Sequence, residues 1–336
     1  MQMRAAQLRV NGLDGLRVAE APRPVPGPGE VLLAVEAVGL NQLDLNVIAG
    51  LGPGRAARLP RVLGLDPAGV VVEVGEGVDR SRLGQAVVAK PNIPCGDCSA
   101  CARGHEADCP AQTVLGVHRD GGAAEFVVVP ARNAFDRHGL DAATASATVH
   151  SLPIVINAFD AAGVTAADRV LVTGAGGTLG HAAVAYARQL GARVVAASRS
   201  ELPRVDGVTQ VVTADAADLV AKLAEVGPFD VAIDVSGHGG VIAAGIAALG
   251  WGGRAVFCSA SVDARLELDA RDLYLRRKQV RGVASADYEH VRRALRHVQN
   301  GAIAPIIGSR HPLDDIVSAY RGFGTSPRGK VIIDVA

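Results

Sequence analysis

The chain has 336 residues, with 34 Lys and Arg against 34 Asp and Glu. Balanced charge without a basic stripe excludes a nucleic-acid footprint, and the length suits about two domains with a large core. The opening "MQMRAAQLRV" carries no apolar signal region, and "VIAAGIAALGWGG" is too short and too Gly-rich to span a bilayer, so a cytoplasmic protein without membrane or nucleic-acid partners is expected.

The first 150 residues hold short β-rich runs, "EVLLAVEAVG", "AGVVVEVGEGV", "QAVVAK" and "AAEFVVVP", between Pro and Gly turns. They predict an irregular, mostly antiparallel β domain. Within it lies "CGDCSACARGHEADC". Cys95, Cys98, Cys101 and Cys109 follow the spacing C-x2-C-x2-C-x7-C. Clustered thiolates in such a chain suit a tetrahedral Zn²⁺ with no open position, hence one structural zinc. An Fe–S cluster is the rival, because Pro110 follows the last Cys; four unmetallated thiols are the third possibility.

From about residue 155 to 283, short apolar runs alternate with helical ones. The expected strands are 169–173, 193–198, 210–213, 229–236, 254–260 and 279–285. The helices "LGHAAVAYARQLG", "AADLVAKLAEVG" and "VIAAGIAALG" sit between several of them. Six strands with helical crossovers read as a doubly wound parallel sheet. The closing "GKVIIDV" could complete the first domain. The expected domains are therefore 1–153, 154–281 and a C-terminal return over 282–336.

"RVLVT" runs straight into "GAGGTLG" and then a helix. Gly174, Gly176, Gly177, Thr178, Leu179 and Gly180 form a pyrophosphate loop, whose glycines allow a tight turn and close backbone approach at a helix N-terminus. The next strand ends "AASRS", with Ser198 where NAD sites place an acid and Arg199 after it. A hydroxyl and a guanidinium suit a 2′-phosphate, so the expected cofactor is NADP(H).

"AVGLNQLDLNVIAG", "LGLDPAGVVVEVG", the cysteine lobe, "DGGAAEFVVVP", "VLVTGAGGTLG" and "GKVIIDV" together resemble the medium-chain dehydrogenase/reductase superfamily, nearly end to end. The resemblance implies an α/β chain: a GroES-like β domain with an inserted Rossmann domain, acting as a homodimer on a small-molecule substrate. It implies Ser236 and Ser259, at the ends of the fourth and fifth strands, as cofactor neighbours. The family's catalytic zinc set would fall on Asn41, Leu65 and His150. Leu65 cannot bind metal, and Asn41, His150 and Asp66 make a poor zinc set. The chain therefore resembles the zinc-free branch of quinone and enoyl reductases while keeping the structural zinc lobe. Losing the Lewis acid disfavours conjugated acceptors less than simple carbonyls, because the charge gained delocalises over an enone or quinone. The expected reaction is NADPH-dependent reduction of such acceptors. Asn41 would donate an amide N–H to the developing enolate or else only hold its loop, His150 would give an N–H or a proton or else pack as a satisfied histidine, and Asp44, counted with the catalytic groups, would fix local backbone more than act as an acid. Against the polyketide-type enoyl reductases, "VIAGLGPG" (47–54) lacks their Tyr donor. The alternatives are an alcohol or ketone oxidoreductase of the same fold, and a non-catalytic NADPH-binding relative.

Overall fold

A computed structural model describes residues 1–260, 262–324 and 328–335. Its contacts divide the chain into two compact units. One contains 1–150, 287–300 and 305–336; the other contains 151–286 and 301–304. The expected junctions at 153/154 and 281/282 thus both lie inside the second unit. The first is displaced because a helix begins at Ser151 (Ser151–Ala162) and belongs wholly to that unit.

The first unit is built on a sheet of Ala134–Asp136, Ala86–Ala89, Asp66–Val74, Glu30–Gly39, Lys330–Asp334 and Ile307–Pro312, in that order, with Phe126–Pro130 also on Glu30–Gly39. All pairings are antiparallel except that of Ile307–Pro312 with Lys330–Asp334. Apolar residues of Glu30–Gly39 serve two cores. Val31, Leu33 and Val35 pack with Val71, Val87, Val127 and Val129. Val38 packs with Leu8, Leu40, Ile316 and Ile333. Burying such aliphatic side chains contributes roughly 1.5–3 kcal/mol each. The C-terminal strand joins this sheet beside Glu30–Gly39, with Ile333 opposite Val38.

The second unit is a six-stranded parallel sheet in the order Val208–Val212, Arg193–Ser198, Arg169–Thr173, Phe229–Asp234, Leu249–Phe257, Gln279–Gly282. In sequence order this is 3-2-1-4-5-6, the doubly wound arrangement with its switch point beside the first strand. Its core joins Leu171, Val195, Leu219, Phe229, Ile242 and Leu249. The fourth strand stops at Asp234, short of the expected 236, because the Asp234 carboxylate turns back onto the N–H groups of Ser236 (3.1 Å) and Gly237 (3.3 Å). The fifth begins at Leu249 and ends at Phe257, so Cys258 and Ser259 lie just past it. Among the described residues one helical stretch, Ala142–Ala162, is long and apolar enough to cross a membrane, and 78% of its apolar window is buried.

Candidate active site

Two neighbouring strands of the first unit flank Gly39, the last residue of Glu30–Gly39. It pairs with Asp66 on one side and with Ile332 on the other. Continuing the Gly39–Ile332 register by two residues brings Asn41 opposite Lys330. Asn41 is also where the strand yields to the helix Gln42–Ala49. Its backbone N–H donates to Asp44 Oδ2 at 2.8 Å, an N-terminal cap made by the third helical residue. Gly64 N–H donates to the other Asp44 oxygen at 3.3 Å. Asp44 is fully buried. Burial pushes its carboxyl up to about 7, against the lowering effect of the Asn41 N–H; the nearby Asp66 charge adds to the rise. Asp44 is therefore an anchor of the Asn41 loop and cannot meet a substrate, which corrects its expected place among the catalytic groups.

The Asn41 side chain is saturated. Nδ2 donates to Gly39 O at 3.1 Å and to Asp66 Oδ2 at 2.9 Å. Oδ1 accepts from Lys330 Nζ at 2.6 Å and lies 3.0 Å from His150 Nδ1. Reversing the amide would set an NH2 against an ammonium, so the assignment follows from charge. Both amide hydrogens are used internally. The expected direct donation from Asn41 to an enolate has no hydrogen left to make it. What Asn41 offers instead is an acceptor that fixes a proton on His150 Nδ1.

His150 closes the helix Ala142–Val149 and keeps 17% of its side chain exposed. With Nδ1 turned inward, Nε2 is the nitrogen left for chemistry. Asp66 Oδ1 lies 3.4 Å from Nδ1, and Oδ2 receives Lys330 Nζ at 2.6 Å. Burial would raise the Asp66 carboxyl, but the charges of Lys330 and His150 outweigh it and hold it low. Ser146 Oγ bonds the Asp66 carbonyl at 2.6 Å. Lys330 and Gly39 were not singled out by sequence. The available signal was a lone Lys opening the apolar run "KVIID".

In the second unit the glycines separate by role. Gly174 has φ +76°, and a Cβ there would meet Ser236 N at 2.7 Å. A Cβ at Gly180 would lie 2.3 Å from Gly174 O. Those two are required by the turn and by helix–strand packing. At Gly176 and Gly177, chain neighbours aside, nothing among the described residues comes closer than 3.7 Å to a Cβ. Bare backbone kept where the fold itself has room suits a group approaching from outside, as a pyrophosphate does. Thr178, Leu179 and Gly180 begin the helix Thr178–Gln189, whose first N–H groups have no helical acceptor. Ser198 is buried and its hydroxyl bonds Ser200 O, whereas Arg199 is exposed and makes no salt bridge among the described residues. Ser236 Oγ is turned inward to Asp234 Oδ2 at 2.8 Å, and Ser259 is half-buried. Asp234, which the sequence did not flag, organises this corner.

The profile of the alcohol dehydrogenase GroES-like domain matches residues 27–138, and that of the zinc-binding dehydrogenases matches 178–300. An L-threonine 3-dehydrogenase of Saccharopolyspora erythraea is 30% identical, with 98% of each chain covered. The chain belongs to the medium-chain dehydrogenase/reductase superfamily. Among solved members, a cobalt- and zinc-bound thermostable alcohol dehydrogenase of Pyrobaculum aerophilum superposes with a TM-score of 0.90 at 31% identity over 100% of both chains. A structure from Sinorhizobium meliloti, described as a zinc-binding dehydrogenase bound to NADP, gives 0.88 at 29% over 100% of both chains. This member of the superfamily is an oxidoreductase using a nicotinamide cofactor.

Two metal sites of medium-chain dehydrogenases can be tested on its residues. The sulfurs of Cys95, Cys98, Cys101 and Cys109 all lie within 4.8 Å of one another. Three of their separations are 3.5, 3.5 and 3.9 Å. Zn–S bonds of about 2.3 Å in a tetrahedron require S···S of about 3.8 Å. Backbone N–H groups of Cys95 and Gly96 point at Cys109 and Cys101 sulfurs at 3.3 and 3.4 Å. The lobe fits a structural metal. The second site does not fit: Leu65 is buried without a donor atom, and an ammonium already neutralises Asp66 and occupies Asn41 Oδ1.

Proposed function

We propose that this protein is an NADPH-dependent reductase of activated alkenes or quinones that works without a catalytic metal. The observation carrying the reading is Lys330 Nζ, 2.6 Å from both Asn41 Oδ1 and Asp66 Oδ2, in place of a metal-binding set. A divalent ion beside that ammonium would be repelled at close range. A conjugated acceptor needs no Lewis acid as strong as zinc, because the charge it gains is delocalised. NADPH, when bound, supplies a hydride to the β-carbon, and the π pair of the acceptor moves toward its carbonyl oxygen as an enolate. His150 in its imidazolium form then gives the Nε2 proton to the enolate and reverts to the neutral ring with hydrogen on Nδ1.

Arg199 and the missing acid at Ser198 support NADPH. The cysteine lobe supports one structural zinc. A homodimer is supported by the edge strand Gln279–Gly282, which pairs on one side only among the described residues, and by Trp251 (77% exposed), Tyr274 (79%) and Leu275 (54%) in the same unit. A second reading is alcohol oxidation or ketone reduction with His150 as the acid or base, favoured by relatives named L-threonine 3-dehydrogenase. Steady-state turnover on a panel of enones, quinones, ketones and secondary alcohols, with either cofactor and with chelator, tests both. Chelator-resistant reduction of enones or quinones is expected. Turnover confined to alcohols, or abolished by chelator without unfolding, would refute the first reading.

A further inference from the structure

Of the 34 basic residues only four are lysines, at 90, 222, 278 and 330. Arginine is this chain's ordinary surface cation. Three of the four lysines are buried, at 2%, 8% and 2% exposure for Lys90, Lys278 and Lys330. A compact ammonium enters spaces a planar guanidinium cannot. Lys90 Nζ meets the Asn92 carbonyl, and Lys278 Nζ meets those of Ile246 and Ala247 besides Asp272. Lys330 differs: the partners described above are two side chains of the candidate site.

We propose that Lys330 is the positioning residue of this site, setting the amide of Asn41 and balancing the carboxylate of Asp66 so that His150 can release a proton from Nε2. The inference rests on the proposed role of His150 in proton transfer. Two effects combine. The ammonium dictates that Asn41 presents Oδ1, and that same oxygen lies 3.0 Å from His150 Nδ1. The ring must then carry hydrogen on Nδ1, leaving Nε2 as the exchanging atom. The ammonium also matches the Asp66 charge. A buried carboxylate with no other cation would hold the imidazolium tightly and disfavour giving up its proton.

An independent observation is the residue at 39. A Cβ on Gly39 would lie 2.2 Å from Lys330 Cε and 3.2 Å from Nζ. The strand is bare at the point where the lysine stem crosses it. The other titratable groups around the cluster are Asp44, whose carboxyl feels both Asp66 and Lys330, and the buried Tyr320 beside Asp44.

The test compares wild type, Lys330→Met and Gly39→Ala by ¹⁵N NMR of the histidine rings across pH, with His150→Phe identifying the signal. The wild-type neutral ring should be the Nδ1–H tautomer. Lys330→Met should move its titration upward by about one pH unit or more, the scale of one nearby charge. Gly39→Ala, which displaces the ammonium while leaving Lys330 in the chain, should move it the same way and covers the case where Lys330→Met fails to fold. Turnover on the best acceptor should fall at least tenfold, its pH profile shifting with the ring, while KM and NADPH affinity stay within about twofold. An unchanged tautomer and titration in the folded variants would overturn the inference. A shifted ring with unchanged turnover would overturn the part of His150 in the reaction, leaving Lys330 as the group that sets its state.

Discussion

Thr173 Oγ1 lies 2.5 Å from Asp234 Oδ2, tying the strand that enters the glycine loop to the strand across the switch point. Asp234 also receives Ser236 Oγ, and Gly174 packs on Ser236 N. The loop is thus held from below by a buried carboxylate, which burial raises against these donated bonds. Glycines held this way should respond differently to an added methyl. Gly176→Ala should keep its melting temperature but weaken NADPH binding at least tenfold, about 1.4 kcal/mol. Gly180→Ala drives a Cβ to 2.3 Å from Gly174 O and should lose about 1–3 kcal/mol of stability. Calorimetric titration and thermal unfolding separate the two. Equal binding by Gly176→Ala would mean that no phosphate approaches there.

Cofactor choice is tested at Arg199, exposed at the end of the strand Arg193–Ser198. NADPH should bind at least tenfold more tightly than NADH, and Arg199→Ala should remove most of that gap. Identical wild-type affinities for the two cofactors would reject the selection of a 2′-phosphate.

Most of the fold was legible because its signals are local. The glycine loop, the six parallel strands and the cysteine lobe each announce themselves within some fifteen residues of chain. The site was legible only in part. Asn41, His150 and Asp66 could be placed by motif, yet their roles depend on Lys330, distant in sequence and joined to them by strand register. Asn41 reads as a donor in isolation. It becomes an acceptor toward His150 once its two hydrogens meet Gly39 O and Asp66. No residue-type argument supplies that, because the direction of an amide is decided by what surrounds it. The end of the fourth strand departs from its sequence pattern for a similar reason: "DVS" continues a β pattern, but the Asp234 carboxylate captures the next N–H groups.

The cysteine lobe carries a metal prediction. Ala107 N–H bonds Asp287 at 2.7 Å and Tyr288 N–H bonds Glu106 at 3.1 Å, so the lobe also anchors the start of the helix Tyr288–Gln299. Elemental analysis should give close to one zinc per chain and no iron. Cys98→Ser with Cys101→Ser should remove it and lower the melting temperature by several degrees, about 2–4 °C for each kcal/mol lost. A second tightly bound zinc that survives these substitutions would contradict the metal-free active site.

Asp44 gives a stability profile with a defined sign. Its carboxyl moves from 3.8 to about 7 on folding. The folded chain therefore holds a proton that the unfolded chain has released. The associated stability is complete below about pH 4 and is lost as pH rises toward 7, on the order of 2–4 kcal/mol. Asp66 moves the opposite way, so its contribution is lost only as pH falls below about 4 and the windows do not overlap. Urea unfolding between pH 4 and 7 should show this slope in the wild type and a flatter one in Asp44→Asn. Parallel slopes would show that Asp44 stays ionised.

His150 carries the final prediction. Its Nδ1 is held by Asn41 Oδ1 at 3.0 Å, and part of its ring stays open to solvent. An imidazole is the side chain whose charge ordinarily changes between pH 5 and 8. If Nε2 delivers the proton, His150→Phe should lower kcat and kcat/KM together by about 10²–10⁴. NADPH affinity should change little, because the glycine loop and Arg199 lie on other elements. The wild-type pH profile should show an ionisation that disappears in the variant. Asn41→Leu should cost less than His150→Phe, since it removes the partner of the acid and keeps the acid. Asn41→Asp should raise the pH of that ionisation, because a second carboxylate beside Nδ1 favours the imidazolium. Full turnover by His150→Phe would rule out proton delivery from the ring, and the proton would then have to reach the enolate from water.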